Sequence, residues 1–132
     1  MGLHRAETCS FSLTLGPDRL LLAVRPYLLY GSWMRKKVIV VVGPTASGKS
    51  SYAVKLARSI GGEVVSADSR QVYKGLDVGT GKITKKEMRG VPHHLLDVVS
   101  PKKVFTAYNF VERGQAAIES ILNRGKTPII CG

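Results

Sequence analysis

The chain has 132 residues, of which 44% are apolar and 22% are charged, and its formal net charge is +11. These values are typical of one globular domain, and no apolar run reaches the roughly 20 residues that a membrane-spanning helix needs. The positive charge favours polyanions such as nucleic acid, or phosphorylated small molecules, as partners, although a basic solvated surface would give the same value.

Residues 1–33 differ from the rest of the chain. They carry a net charge of +1, against +10 for residues 34–132, and their short apolar patches show no sustained period. Glu7 and Asp18 interrupt the pattern of a secretory signal, whereas a transit peptide stays open. Met34 precedes the first regular element and resembles a natural chain start. We therefore expect residues 1–33 to form an N-terminal extension outside the fold.

The two cysteines, Cys9 and Cys131, lie far apart and in no metal-binding spacing. This usage is typical of a reducing compartment, because a disulfide scaffold needs more and closer cysteines. We expect both thiols to be free and the protein to be cytoplasmic.

The clearest motif is GPTASGKS at residues 43–50, which fits the phosphate-binding pattern G-x-x-x-x-G-K-[ST] and follows the apolar run 38–42. Glycines let the backbone N–H groups converge on phosphate oxygens, and the next helix directs its positive end at them. In this motif Lys49 reaches the terminal phosphates and Ser50 binds Mg²⁺. The predicted diphosphate or nucleotide site is Gly43, Pro44, Thr45, Ala46, Ser47, Gly48, Lys49 and Ser50.

The predicted elements follow in order along the chain. Residues 38–42 form a strand buried on both faces, residues 49–60 a helix ended by Gly61 and Gly62, and residues 63–67 a second strand. Residues 73–93 form a surface excursion with a short helix near 84–89. A strand at 95–99, an amphipathic helix at 106–123 ended by Gly125, and a strand at 127–131 complete the series. This order predicts an α/β fold with a parallel sheet, whose ligands bind at the carboxyl ends of the strands.

Asp68 leaves the second predicted strand at the edge of the sheet that carries the phosphate-binding loop. A carboxylate beside a phosphorylated substrate is suited to take a proton from an attacking nucleophile. From this position alone, an aspartate that caps a following helix is about equally consistent with the sequence.

Three segments in this order carry a resemblance to a family: residues 41–50, SADSRQVYKGLDVGTGK at 66–82 and GVPHHLLD at 90–97. They closely resemble the tRNA dimethylallyltransferases, especially the bacterial ones, and the resemblance covers about residues 36–132. It implies a P-loop NTPase-like fold with helices on both faces of the sheet. It also implies transfer of a dimethylallyl group from dimethylallyl diphosphate to the exocyclic amine of the adenine just 3′ of a tRNA anticodon.

The resemblance assigns roles to residues. The loop from Thr45 to Ser50 would hold the diphosphate leaving group, with Lys49 and an Mg²⁺ ion at Ser50 offsetting its charge. Asp68 would be the general base. Asp68, Ser69, Arg70 and Gln71 match the segment that meets the tRNA, whose target base would leave its stack. The full-length enzyme is expected to be a monomer without a membrane anchor.

His93 and His94 match a His-His pair of the family, and we expect packing or loop hydrogen bonds rather than catalysis or metal binding.

Family members continue beyond Gly132 with a Gly-Thr-Gly-Leu-Tyr segment, so we interpret residues 34–132 as the N-terminal part of a prenyltransferase domain, truncated at its C-terminus. By itself it is expected to bind diphosphate and to be a poor enzyme. The alternatives are a P-loop kinase using ATP, an adenylate prenyltransferase, and an inactive phosphate- or tRNA-binding fragment.

Overall fold

The computed structural model describes residues 12–15, 21–27, 36–44, 46–76, 79 and 81–132. The strands are β1 (Ser12–Leu15), β2 (Leu21–Tyr27), β3 (Lys36–Val42), β4 (Glu63–Ser66), β5 (His93–His94) and β6 (Pro128–Cys131). The helices are α1 (Lys49–Ile60), α2 (Lys85–Met88) and α3 (Ala107–Asn123). The strands form one sheet in the order β1-β2-β3-β6-β4-β5.

The centre of this sheet is parallel. β6 lies between β3 and β4 and is parallel to both, and β5 continues the parallel pairing beyond β4. All four strands therefore end at the same edge. The β-branched run in β3 suits this position, because a strand covered on both faces needs apolar side chains in both directions.

Alternate residues of the strands face opposite layers of helix. Val64 and Ile129 pack in one apolar cluster with Ala53, Val54 and Ala57 of α1. Their neighbours Val65 and Ile130 pack in a second cluster with Phe110, Ile118 and Ile121 of α3. The alternation follows from the two-residue period of a strand. The predicted α/β fold, with a parallel sheet and helices on both faces, is thereby confirmed.

The helices begin and end close to the predicted residues. Gly61 has a φ of 66° and ends α1. This left-handed conformation causes no steric strain in glycine, because glycine has no Cβ. Thr84 and Thr106 begin α2 and α3 as capping boxes, each exchanging two hydrogen bonds with the third residue of its helix. The local signals therefore determine the helix boundaries.

The prediction of a strand at residues 95–99 is wrong. The parallel pairing with β4 ends at His94, because Leu95 and Asp97 take left-handed backbone conformations with φ of 64° and 54°. Only an isolated bridge between Val99 and Tyr73 follows. The side chains of this stretch therefore point in different directions. An apolar composition alone does not predict such a change in backbone conformation.

The backbone of the N-terminal region also differs from expectation, because no strand was predicted before residue 38. β2 pairs antiparallel with β3 along its whole length, from Leu21 opposite Val42 to Tyr27 opposite Lys36, and β1 pairs with β2. A long, β-branched strand such as β3 offers an unpaired edge that a neighbouring segment can occupy. The prediction that residues 1–33 lie outside the fold is therefore wrong for β1 and β2. Whether residue 34 begins a separate domain stays a prediction.

A buried carboxylate ties the opposite end of the sheet together. The side chain of Glu63, at the start of β4, has no exposed surface, and Arg124 donates to both of its oxygens at 3.0 and 2.9 Å. Lys126 Nζ donates at 2.9 Å and His94 Nε2 at 2.7 Å. Burial raises the pKa of Glu63, but the hydrogen bonds from His94, Lys126 and Arg124 outweigh it and lower the pKa to about 2.

Candidate phosphate-binding cleft

The loop between β3 and α1 has the backbone of an anion-binding site. Ala46 and Gly48 have φ of 61° and 80°, and the N–H of Ser47 between them donates to the carbonyl of Pro44 at 3.3 Å. Left-handed residues in alternation make successive N–H groups point to the same side. Ala46 adopts this conformation despite its Cβ, which is a local strain of the kind found at ligand sites. Thr45 lies outside the described residues.

Two polar features of this loop lack a partner within the described chain. Gly48 begins α1, and no side chain caps the N–H groups of the first turn. The hydroxyl oxygen of Ser47 is buried and has no hydrogen-bond partner among the described residues. Buried polar groups in folded proteins are nearly always satisfied. An anion at the positive end of α1 would satisfy both features.

Lys49 and Ser50 begin α1 directly after the loop. Lys49 Nζ donates to the carbonyl oxygen of Pro44 at 2.6 Å, so its ammonium already lies across the loop. Ser50 and Lys49 both lie close to Cys131 at the end of β6. Burial raises the pKa of the Cys131 thiol, although Lys49 and Ser50 oppose this effect. Cys131 is a free, buried thiol, as expected, whereas Cys9 lies outside the described residues.

Asp68 follows β4 at the carboxyl end of the sheet. Its Oδ1 accepts a hydrogen bond of 2.8 Å from the N–H of Arg70, and the Arg70 Nε lies 3.9 Å from the same oxygen. The carboxylate thus caps a turn, and no helix begins in the described residues that directly follow it, so the helix-capping role that the sequence left open is not present. Its side chain is still 29% exposed, so the group is open to a ligand.

The loop and Asp68 line one cleft of about 630 Å³. Of the predicted residues, the cleft is lined by Gly43, Ala46, Ser47, Gly48, Lys49, Ser50, Asp68, Arg70 and Gln71. Pro44 and Ser69 are not part of the lining. The shared cleft that parallel strand order predicted is present, because β3, β4 and β6 all end at this edge.

Ten lining residues were not among the predicted site residues, and Ile83, Glu87, His93 and Leu96 are four of them. Ile83 and Glu87 come from the excursion, which folds back over the strand ends. Gln71 helps to hold it there, since its amide donates to the carbonyl of Gly81 at 3.4 Å. Lys82 Nζ donates to the Tyr73 carbonyl at 3.0 Å and to Asp97 Oδ1 at 2.6 Å. No periodicity in the sequence indicates these contacts.

The two histidines occupy different environments. His93 lines the cleft, and its Nδ1 donates to the Val91 carbonyl at 2.8 Å. Burial lowers the pKa of His93, with the Val91 hydrogen bond opposing this. His94 instead binds Glu63. Packing or loop hydrogen bonding was the expected role of both histidines, and the bond of His93 to Val91 agrees with it, whereas the side-chain hydrogen bond of His94 with Glu63 was not expected. Within the part of the chain that the structure describes, no cluster of three His, Cys, Asp or Glu residues could hold a metal ion.

None of the described helices is both long and apolar enough to cross a membrane.

The chain is similar to known proteins in sequence. Residues 71–132 match the family model described as IPP transferase. A tRNA dimethylallyltransferase of Staphylococcus carnosus is 53% identical over 95 residues, which are 72% of this chain and 30% of the relative. One of Caldanaerobacter subterraneus is 52% identical over 99 residues, 75% of this chain and 31% of the relative.

Solved structures agree with these matches. A tRNA isopentenylpyrophosphate transferase of Staphylococcus epidermidis superposes with a TM-score of 0.68 at 48% identity, covering 70% of this chain and 31% of that one. A eukaryotic dimethylallyltransferase acting on tRNA gives 0.67 at 38% identity, covering 69% and 23%. The chain thus spans about 30% of the length of the curated relatives it matches. The sequence motifs, the P-loop NTPase-like fold and these matches make the chain similar to the N-terminal part of the tRNA dimethylallyltransferases, and its residues 71–132 similar to the IPP transferase family.

Proposed function

We propose that the protein to which this chain belongs transfers a dimethylallyl group from dimethylallyl diphosphate to the exocyclic amine of the adenine 3′ of a tRNA anticodon. The observation that carries this proposal is the common cleft of the phosphate-binding loop and Asp68. A transferase of this kind needs a site for the leaving diphosphate and a base for the amine proton within reach of one reacting carbon.

The loop would hold the diphosphate. The N–H groups at the start of α1, the buried Ser47 hydroxyl and the Lys49 ammonium provide donors and positive charge in one place. The Ser50 hydroxyl, which lines the same cleft, would hold an Mg²⁺ ion beside the diphosphate. The ion would add positive charge opposite the leaving group. Lys49 would stabilise the charge that builds on the diphosphate as it leaves.

Asp68 would act as the general base. The adenine nitrogen attacks the allylic carbon, the bond from that carbon to the diphosphate oxygen breaks, and the amine proton passes to the carboxylate. Both described contacts of the carboxylate are made by Arg70 and fall on Oδ1. They orient the group and leave Oδ2 for the proton. The same turn would bring Ser69, Arg70 and Gln71 against the tRNA.

Two further features support tRNA as the acceptor. Residues 34–132 carry most of the positive charge of the chain, which suits a phosphate backbone. The side chain of Arg70 is 69% exposed beside the cleft, where an extruded base would enter. A tRNA substrate also suggests a cytoplasmic location, and we expect the longer protein to act as a monomer.

The test is an assay of the gene product, including any sequence encoded beyond Gly132, with tRNA, dimethylallyl diphosphate and Mg²⁺. We expect prenylated adenine 3′ of the anticodon. Asp68→Ala should lower the turnover about 10²- to 10⁴-fold while tRNA affinity changes little. Glu119→Gln, an exposed carboxylate on α3, is the matched control. Transfer of phosphate from ATP, or an equal loss of rate and tRNA affinity in Asp68→Ala, would contradict the proposal.

A further inference from the structure

Residues 95–97, which follow β5, have an unusual backbone that points their three side chains in different directions. Leu95 and Asp97 are both left-handed, which is uncommon for residues with a Cβ and concentrates at ligand sites. Leu95 is buried against Val65 and Ile121 on the α3 face of the sheet. Leu96, between the two, points instead to the cleft and lines it.

The surrounding structure fixes this arrangement at both ends. Asp97 Oδ1 accepts a hydrogen bond of 2.6 Å from Lys82, and the Asp97 N–H donates to the carbonyl of Gln71 at 3.2 Å. The Val98 N–H donates to the carbonyl of Val72 at 2.9 Å. In β5, His93 lies beside Val64 and His94 beside Val65, so a regular continuation of this strand would have sent Leu95 to the α1 face and Leu96 to the α3 face. The two left-handed residues are therefore what places Leu96 where it stands.

The cleft has a polar and an apolar wall. Ser47, Lys49 and Ser50 supply the polar one at the start of α1, while Ile83 and Leu96, both partly exposed, add apolar side chains to the lining of the same cleft. Inorganic phosphate gains nothing from an apolar wall. A ligand that joins a diphosphate to a short hydrocarbon chain would use both walls at once.

We propose that Leu96, with Ile83, is the specificity-determining contact for the five-carbon chain of the prenyl diphosphate. This inference rests on the proposed function, and it adds the residues that distinguish an allylic diphosphate from diphosphate alone. Leu96 does not take part in the chemistry. It provides apolar surface that the hydrocarbon covers, and the strained turn keeps it from relaxing into the core with Leu95.

Calorimetric titration of the chain with Mg²⁺ and either dimethylallyl diphosphate or inorganic diphosphate tests this inference. Each buried methylene-sized group is worth about a fourfold gain in affinity, so dimethylallyl diphosphate should bind about tenfold more tightly or better. In Leu96→Ala this ratio of dissociation constants should fall at least threefold, with the affinity for inorganic diphosphate unchanged. Leu96→Met should keep the ratio, and Ile83→Ala should lower it.

Val104→Ala is the matched control, because Val104 is 88% exposed and lies outside the cleft. Equal affinities of both ligands for the unmodified chain would overturn the inference and leave the phosphate site standing, since the apolar wall would then serve another group such as the target base. An equal loss of both affinities in Leu96→Ala and Ile83→Ala would also overturn it. Failure of either diphosphate to bind the unmodified chain would contradict the proposed function itself.

Discussion

Lys49 Nζ donates a hydrogen bond of 2.6 Å to the carbonyl oxygen of Pro44, five residues earlier in the same loop. This bond lays the ammonium across the loop that is proposed to hold the diphosphate. A diphosphate oxygen is a stronger acceptor for an ammonium than a neutral carbonyl is. Lys49 can therefore exchange one partner for the other with a small movement of its side chain.

Lys49→Ala should lower the affinity for Mg²⁺-diphosphate at least tenfold, because a hydrogen bond between charged groups contributes about 1.5–3 kcal/mol. Isothermal titration calorimetry measures the effect directly. Lys55→Ala, at an exposed position of the same helix, is the control and should bind as the unmodified chain does. Heats that are the same for all three proteins would show that the loop does not bind diphosphate through Lys49.

Glu63→Gln should destabilise the protein by about 3 kcal/mol at neutral pH, because the buried carboxylate is held by Arg124, Lys126 and His94. The pKa of Glu63 in the folded protein is about 2, below the ordinary 4.5. Its stabilising effect is therefore complete above pH 4.5 and is lost as the pH falls from 4.5 towards 2. Urea unfolding at several pH values should show the two proteins converging over that interval.

For the Glu63 experiment, Glu119→Gln on the exposed face of α3 controls for the loss of a charge. It should follow the unmodified chain at every pH. A stability difference between Glu63→Gln and the unmodified chain that stays constant from pH 7 to pH 2 would mean that the ion pairs do not lower the pKa of Glu63.

Gly62→Ala should lower the midpoint of thermal unfolding. A Cβ at this position would lie 2.7 Å from the carbonyl oxygen of Thr127, a backbone atom that cannot move without disturbing the pairing of β4 with β6. Gly114→Ala is the matched comparison within α3, because its Cβ would lie at an ordinary 3.8 Å from Leu95 Cδ1. There the loss of a helical glycine should stabilise the chain by about 0.5–1 kcal/mol. Differential scanning calorimetry of both variants would reveal opposite shifts, and equal shifts would contradict the geometry.

A chain that begins at Met34 should unfold at a temperature several degrees lower than the full chain, or associate with itself. β2 pairs with β3 over seven residues, so its removal leaves the β3 edge open. In a domain of this size, several degrees correspond to about 1 kcal/mol. Calorimetry and gel filtration provide the two measurements. Unchanged stability and size would instead agree with the sequence-based expectation that residues 1–33 lie outside the fold.

The sequence alone was sufficient for the elements whose signals are local. The phosphate-binding loop, the span of α1, the start of α3 near Thr106 and the buried nature of β3 each depend on residues that are close together in the sequence. Caps, glycines and apolar periods act over such short distances. Strand order then predicted that Asp68 would share an edge with the loop, because parallel strands joined by helices end on the same side.

Only the tertiary structure decided what depends on residues distant in the chain. Glu63 meets Arg124 across 61 positions, and nothing in either neighbourhood indicates that a glutamate at the start of a strand is buried. Leu95 and Leu96 are adjacent apolar residues, and nothing in the sequence indicates that their side chains have different surroundings. The contacts of Asp97 with Lys82 and of Leu95 with α3 hold the two side chains in opposite directions. A strained backbone conformation is stable only when surrounding contacts impose it, and those contacts exist only once the chain has folded.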